Sequence, residues 1–167
     1  QLMLHGAIKI SECAGVTMLS YPSFEFVNKV KFIKRVFDIV CSLILLICLS
    51  PCLLFIACWI KCVSSQDSII YKQERVGKHN SIFNMYKFRT MIPNAEEKTG
   101  PTWVAEQDNR YIVGGKILRR YSLDELPQLF NILLGNMSIV GPRPERPFFV
   151  DKISKELPHF PLRHVVK

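Results

Sequence analysis

Hydrophobic positions crowd into one stretch of this chain and then give way to short, punctuated runs. Residues 39–60 hold 22 positions without a charge, long enough as a helix to cross a bilayer core of about 30 Å. Ser50-Pro51 interrupts the stretch at its midpoint. Proline has no amide hydrogen to give the Ile47 carbonyl, so the pattern predicts a kink or a break there. Each arm, 39–49 and 52–60, then reaches roughly 14–17 Å, about half the core. Ser50 can serve the freed backbone by bonding back to a carbonyl of the preceding turn. Basic residues flank both ends, with Lys29, Lys31, Lys34 and Arg35 before and Lys61, Lys72 and Arg75 after. A simple span places such charge asymmetrically, whereas a re-entrant hairpin returns both ends to one face. The pattern leaves a kinked span and a hairpin both open.

Beyond residue 63 the style is that of a soluble domain. Ile69-Ile70-Tyr71 and residues 83–89 read as short strands, with a turn around Gly77-Lys78-His79-Asn80. In the second strand Phe83 and Met85 share a face with Lys87 and Arg89, so the polarity of that face shifts along its length. Residues 93–97 read as the start of a short helix, followed by a polar loop through Gly100-Pro101. Gly114-Gly115 leads into a helix at 116–120, with neither a P-loop nor a GxGxxG motif. Residues 127–134 form a helix ended by Gly135. These elements predict an α+β fold, mostly helical and membrane-associated. Residues 1–26 read as the tail of an upstream region, 27–63 as a basic juxtamembrane and membrane segment, and 64–167 as a separate domain.

Charge and cysteine usage narrow the partners. The formal net charge of +8 favours anions: phospholipid headgroups, nucleotides or nucleic acid. A nucleic-acid binder would carry basic residues with interleaved aromatics on a soluble domain, and the apolar stretch argues against it. Cys41, Cys48, Cys52, Cys58 and Cys62 lie in or beside that stretch without a CxxC pair, which fits a reducing compartment and no disulfide framework. His159 and His164 have no ligand spacing and read as surface or packing residues.

The densest chemistry lies at Arg119-Arg120-Tyr121-Ser122-Leu123-Asp124-Glu125-Leu126-Pro127-Gln128, followed by Val140-Gly141-Pro142-Arg143-Pro144. Two adjacent carboxylates between arginines suit a phosphate ester and its metal. Asp124 fits a nucleophile or a metal ligand, and Glu125 a metal ligand or a general base. Arg119 and Arg143 can neutralise phosphate oxygens through forked hydrogen bonds. Pro142 and Pro144 restrict the backbone around Arg143. A plainer reading is a capping box, in which Ser122 accepts from the Glu125 amide and Glu125 reaches back. Both readings stand on the local pattern.

The wider order of motifs resembles one family. Lys34-Arg35-x-Phe37-Asp38, an apolar stretch with Ser50-Pro51, Gln73-x-Arg75-x-Gly77, Tyr86-Lys87-Phe88-Arg89-Thr90-Met91, Leu118-Arg119-Arg120, the 122–128 segment, Asn131, and Gly135-x-Met137-Ser138-x-Val140-Gly141-Pro142-Arg143-Pro144 are similar to the bacterial sugar transferases. The resemblance runs from Lys34 to the end of the chain. It implies a polyprenyl-phosphate sugar-1-phosphate transferase in the bacterial cytoplasmic membrane, with residues 64–167 as the catalytic domain on the cytoplasmic face. Such an enzyme moves a sugar-1-phosphate from a UDP-sugar to undecaprenyl phosphate and releases UMP, as the first step of exopolysaccharide, capsule or glycan assembly. By the same resemblance Asp124 is the nucleophile of a covalent phosphosugar intermediate, and Glu125 with Asp124 belongs to the Mg²⁺ site. Arg119, Arg143, Arg75, Arg89 and Gln128 match phosphate- or nucleotide-binding positions, and Ser50-Pro51 matches the break of a re-entrant helix. Partners implied are the UDP-sugar, the polyprenyl phosphate and membrane lipid, without nucleic acid; a homo-oligomer is left open.

The chain also departs from the family pattern. Asp67-Ser68 stands where Gly-Pro is usual, Ile112 where Thr follows Asp108-x-Arg110, and the chain stops at Val165-Val166-Lys167 ahead of an expected Pro-Gly-x-Thr-Gly segment. The expectation is therefore a domain truncated at its C-terminus. A non-catalytic membrane-anchored interaction module that retains the fold is the alternative.

Overall fold

The computed structural model describes residues 9–13, 16–20, 24–93, 95, 109–157 and 160–165. The expected helix at 93–97, the loop after it and His159 lie wholly or partly outside them. The fold is α+β and mostly helical, with two small antiparallel sheets. The chain forms two compact units, Gln1–Phe37 and Asp38–Lys167. In the first, β1 (Lys9–Cys13) pairs with β2 (Val16–Ser20), and α1 (Phe24–Cys48) begins.

In the second unit α1 runs on to Cys48, and α2 (Ser50–Val63) comes after Leu49. The two helices are bent by 62° at this break. Pro51 falls in the first turn of α2, where its missing N–H is an orphan in any case. Ser50 Oγ donates to the Ile47 carbonyl at 2.8 Å, the expected service to the interrupted backbone. Among the described residues no single helix is long and apolar enough to cross a membrane, whereas the bent pair passes by length and composition.

One face of α2 is committed to the domain. Ile56 and Ile60, four apart and so on one stripe, are buried with Phe88, Ile112 and Leu118, and Leu53, Leu123 and Leu126 pack around them. Burial of each such side chain is worth about 1.5–3 kcal/mol. Leu54 and Phe55 on the same helix are exposed, Phe55 at 69%. The apolar stretch is thus half core and half outward-facing.

β3 (Ile70–Val76) and β4 (Ile82–Phe88) form the second hairpin, in register from Ile70 opposite Phe88 to Val76 opposite Ile82. Its connection turns through His79 and Asn80, both at positive φ. The alternation along β4 buries Met85 and leaves Lys87 half-buried on the same face. Val76 makes a further bridge to Glu145, which ties the hairpin to the segment before α5 (Pro147–Glu156).

α3 (Gly115–Arg120) starts in close contact with Thr90, two residues beyond β4. A Cβ on Gly115 would lie 2.3 Å from the Thr90 carbonyl oxygen, so only glycine lets the helix come this near. α4 (Gln128–Leu134) comes after Pro127 and ends at Gly135 in the left-handed region, as its sequence indicates. His164 is buried, with Nδ1 2.7 Å from Asn80 Oδ1, consistent with a packing residue.

Candidate active site

Between α3 and α4 the chain reverses at Ser122, a non-glycine residue at φ 56°. Its backbone carbonyl accepts from the Glu125 amide at 3.1 Å, and its side chain makes no capping bond. The capping box is therefore not formed. The left-handed backbone turns Ser122 away from an N-cap geometry, and the Glu125 carboxylate has stronger partners in two cations. After Ser122 comes a single 3₁₀ turn, Leu123–Glu125, whose Leu123 packs on the core while Asp124 is turned inward.

Asn131 on α4 fixes this turn against β4. It is 0% exposed, donates from Nδ2 to the Asn84 carbonyl at 2.7 Å and accepts the Tyr86 amide at 2.9 Å. Those bonds complete backbone groups on β4, which among the described residues pairs only with β3. They also bring Lys87 beside the acidic pair: its Nζ lies 3.0 Å from Glu125 Oε1. Arg143 grips the same carboxylate from the other side, with Nη1 3.0 Å from Oε2 and Nη2 on Oε1.

The two carboxylates have opposite electrostatics. Asp124 is 4% exposed, and burial pushes its carboxyl above the usual range, with Glu125 adding to the rise and Lys87 and Arg119 opposing it. Burial alone would also raise Glu125, but the Arg143 hydrogen bond and the Lys87 charge hold it at about 2. Lys87 is itself lowered by burial, against the pull of Glu125. Glu125 is thus a fixed anion between two cations, and Asp124 a buried carboxylate whose charge depends on its cationic neighbours.

Asp124 lies on the wall of an open cleft of about 590 Å³, lined also by Gln73, Lys87, Arg89, Thr90 and Arg119. Arg119 reaches it from α3, with Nε donating to Thr90 Oγ1 at 3.0 Å and its guanidinium over the Tyr111 ring. Arg89 is held by Ser68, through the carbonyl at 2.8 Å and the hydroxyl at 2.9 Å. Of Asp67 and Ser68, the departure from the family pattern, Asp67 lines the cleft with Arg89, and Ser68 holds Arg89 through these bonds. Asp124, Arg119 and Arg89 are brought together, and Arg143 meets them through Glu125. Arg75 is placed differently: its bonds go to Gln73, Pro144 and Glu145. Gln128 begins α4, its Nε2 buried without a hydrogen-bond partner. Sequence reasoning gave no role to Lys87, Asn131, Asp38 or Glu145. Asp38, Lys87 and Asn131 stand in the quoted motif order, which gives no sign of the partners they take, and Lys87 is also a cation on the inward parity of a strand.

The acidic pair bears on a metal. Among the described residues no cluster of three or more His, Cys, Asp or Glu side chains could hold one. Mg²⁺ does not require such a cage, since it commonly takes one or two carboxylates, several waters and substrate phosphate oxygens. Asp124 and Glu125 beside an open cationic cleft fit that mode and would be the residues to hold such an ion.

The chain is similar to known proteins. A family model described as bacterial sugar transferase matches residues 29–167. The chain is similar to a putative undecaprenyl-phosphate N-acetylgalactosaminyl 1-phosphate transferase of Bacillus subtilis, 47% identical over 131 residues, which are 78% of this chain and 72% of that protein. It is 43% identical over 136 residues to the UDP-N-acetylgalactosamine-undecaprenyl-phosphate N-acetylgalactosaminephosphotransferase of Aeromonas hydrophila, covering 81% of this chain and 32% of that one. With the UDP-glucose:undecaprenyl-phosphate glucose-1-phosphate transferase of Escherichia coli it shares 35% identity over 159 residues, 95% of this chain and 34% of the relative. The chain thus spans about a third of the two longer relatives. With the family match running from the basic residues before the apolar stretch through the acidic pair and the Pro-Arg-Pro turn, this chain belongs to the bacterial sugar transferase family.

Proposed function

We propose that this chain carries the catalytic unit of a sugar-1-phosphate transferase acting from a UDP-sugar onto a polyprenyl phosphate. The observation that carries this reading is the buried Asp124 on the wall of a cleft shared with Lys87, Arg89 and Arg119. A carboxylate oxygen of Asp124 attacks the sugar-linked phosphorus of the donor. The phosphoanhydride bond breaks, UMP leaves with the bridging oxygen, and the phosphosugar remains on Asp124 as an acyl phosphate. A phosphate oxygen of the acceptor then attacks the same phosphorus, which frees the carboxylate and gives a sugar-diphosphate lipid.

In this scheme Arg119 and Arg89 spread the charge of the phosphoryl oxygens, in the role cationic clamps play in phosphoryl transfer. Lys87 favours the ionised form of Asp124 against its burial. Arg143 orients Glu125 and can turn to the nucleotide phosphate. Mg²⁺ held at Glu125 and Asp124 would mask charge on the diphosphate when bound.

The bent pair α1–α2 supports a re-entrant hairpin that enters the cytoplasmic membrane and leaves by the same face, with the cleft at headgroup depth. Water-free hydrocarbon tolerates such a break only where the freed carbonyl is served, and the Ser50 bond to Ile47 does this.

The test is UMP release by membrane preparations given Mg²⁺, a panel of UDP-sugars, and undecaprenyl phosphate present or absent. We expect release with one sugar and loss of about 10³-fold or more in Asp124→Asn, a nearly isosteric change. Turnover by that variant near the wild-type rate removes Asp124 as nucleophile.

A further inference from the structure

We infer that the turn carrying Arg143 is set in place by two buried charges, Asp38 on α1 and Arg75 on β3, acting as positioning residues. Only the catalytic consequence of this inference rests on the transferase reading.

Asp38 is 4% exposed, and its Oδ1 accepts both Ser138 Oγ and the Ile139 amide at 3.1 Å. Arg75 is buried as well. Its Nη1 donates to the Pro144 carbonyl at 3.0 Å and to Glu145 Oε2 at 3.2 Å, while Nε and Nη2 both meet Gln73 Oε1. The Val76 amide adds a bond to the Glu145 carbonyl at 2.8 Å. The two charges thus clasp the segment at residues 138–139 and 144–145, immediately on either side of Gly141-Pro142-Arg143.

Removing a carboxylate or a guanidinium from water is costly unless its bonds are replaced; Asp38 directs its bonds to this turn, and Arg75 divides its donors between the turn and Gln73. The Arg143 side chain is more than half exposed, so it has little packing of its own to hold it. Its grip on Glu125 depends on where its backbone stands. Two prolines stiffen the turn, but stiffness does not say where the turn sits; the anchors do. Arg75 does not line the cleft, and its donors are taken by Gln73, Pro144 and Glu145, which assigns it to this positioning role in place of the phosphate contact expected from its motif. Asp38 lies on the helix that enters the bent pair, so the seating of that helix and the position of Arg143 are one arrangement.

Hydrogen exchange on the full chain tests this. In Asp38→Ala and Arg75→Gln, exchange across residues 136–146 should rise by about tenfold or more, the loss expected for bonds to a buried charge. Exchange in β4 should stay as in the wild type. Asp38→Asn, which keeps a carbonyl acceptor at the same place, should restore much of the protection. In the UMP assay the same two variants should raise the KM for the UDP-sugar more than they lower kcat, with Asp38→Asn again the milder. Unchanged exchange at 136–146 in both variants overturns the inference. If Asp38→Ala exchanges faster throughout, Ser138→Ala removes one of the bonds without touching α1, and a rise confined to 136–146 in that variant supports the inference while no rise overturns it. A wild-type chain that releases no UMP overturns the transferase reading alone, and the exchange result still decides this one.

Discussion

Adjacent in sequence, Asp124 and Glu125 differ in what surrounds them, and pH should separate them. Glu125 is held at about 2, against an ordinary 4.5. A depressed carboxyl contributes stability that is present above its unfolded value and is lost as pH falls through the folded one. Acid unfolding of the wild type should therefore steepen between about 4.5 and 2, and Glu125→Gln should flatten that part of the profile, as read by circular dichroism. Asp124 has the opposite sign. Its raised carboxyl gains a proton early as pH falls, so UMP release should drop on the acid side before Glu125 is touched. Lys87→Met removes the cation that opposes this rise and should move the acid limb of kcat/KM to higher pH. A limb that stays in place would show that Lys87 does not act on Asp124. The carboxylates and arginines were legible in the sequence because they cluster there. Lys87 and Asn131 were not, because their partners lie 38 and 45 positions away.

The break between α1 and α2 is the element most directly written in sequence. A proline and the serine before it act through bonds within one helical turn, so no tertiary contact is needed to foresee them. The bent pair predicts that both of its ends lie on one side of the membrane. Single cysteines at positions 30 and 68, in a chain otherwise freed of cysteine, should both be labelled from the cytoplasmic side by an impermeant thiol reagent. Labelling on opposite sides would establish a kinked span. Ser122 shows the limit of local reasoning, for its neighbours spell a capping box and its backbone refuses one. Glu125 takes its partners from Lys87 and Arg143, which lie outside that stretch of sequence.

At the scale of the whole molecule, charge and apolar surface act together. The formal charge of +8 attracts anions of any kind, while the outward residues of α1 and α2, Phe32, Ile47 and Phe55 among them, present apolar area. We expect the chain to stay with the membrane fraction at 1 M salt, where the screening length is about 3 Å and charge alone cannot hold it. Release at that salt would make the attachment electrostatic. Sequence alone determined the break at Ser50-Pro51, the β3–β4 hairpin, the helix ended by Gly135 and the acidic pair, since each depends on residues a few positions apart. Tertiary structure decided which face of α2 enters the core and which cation meets which carboxylate. It also decided that Asp38 and Arg75 clasp the turn of Arg143. Those outcomes rest on contacts between residues 18 to 101 positions apart, and only a closed core fixes such distances.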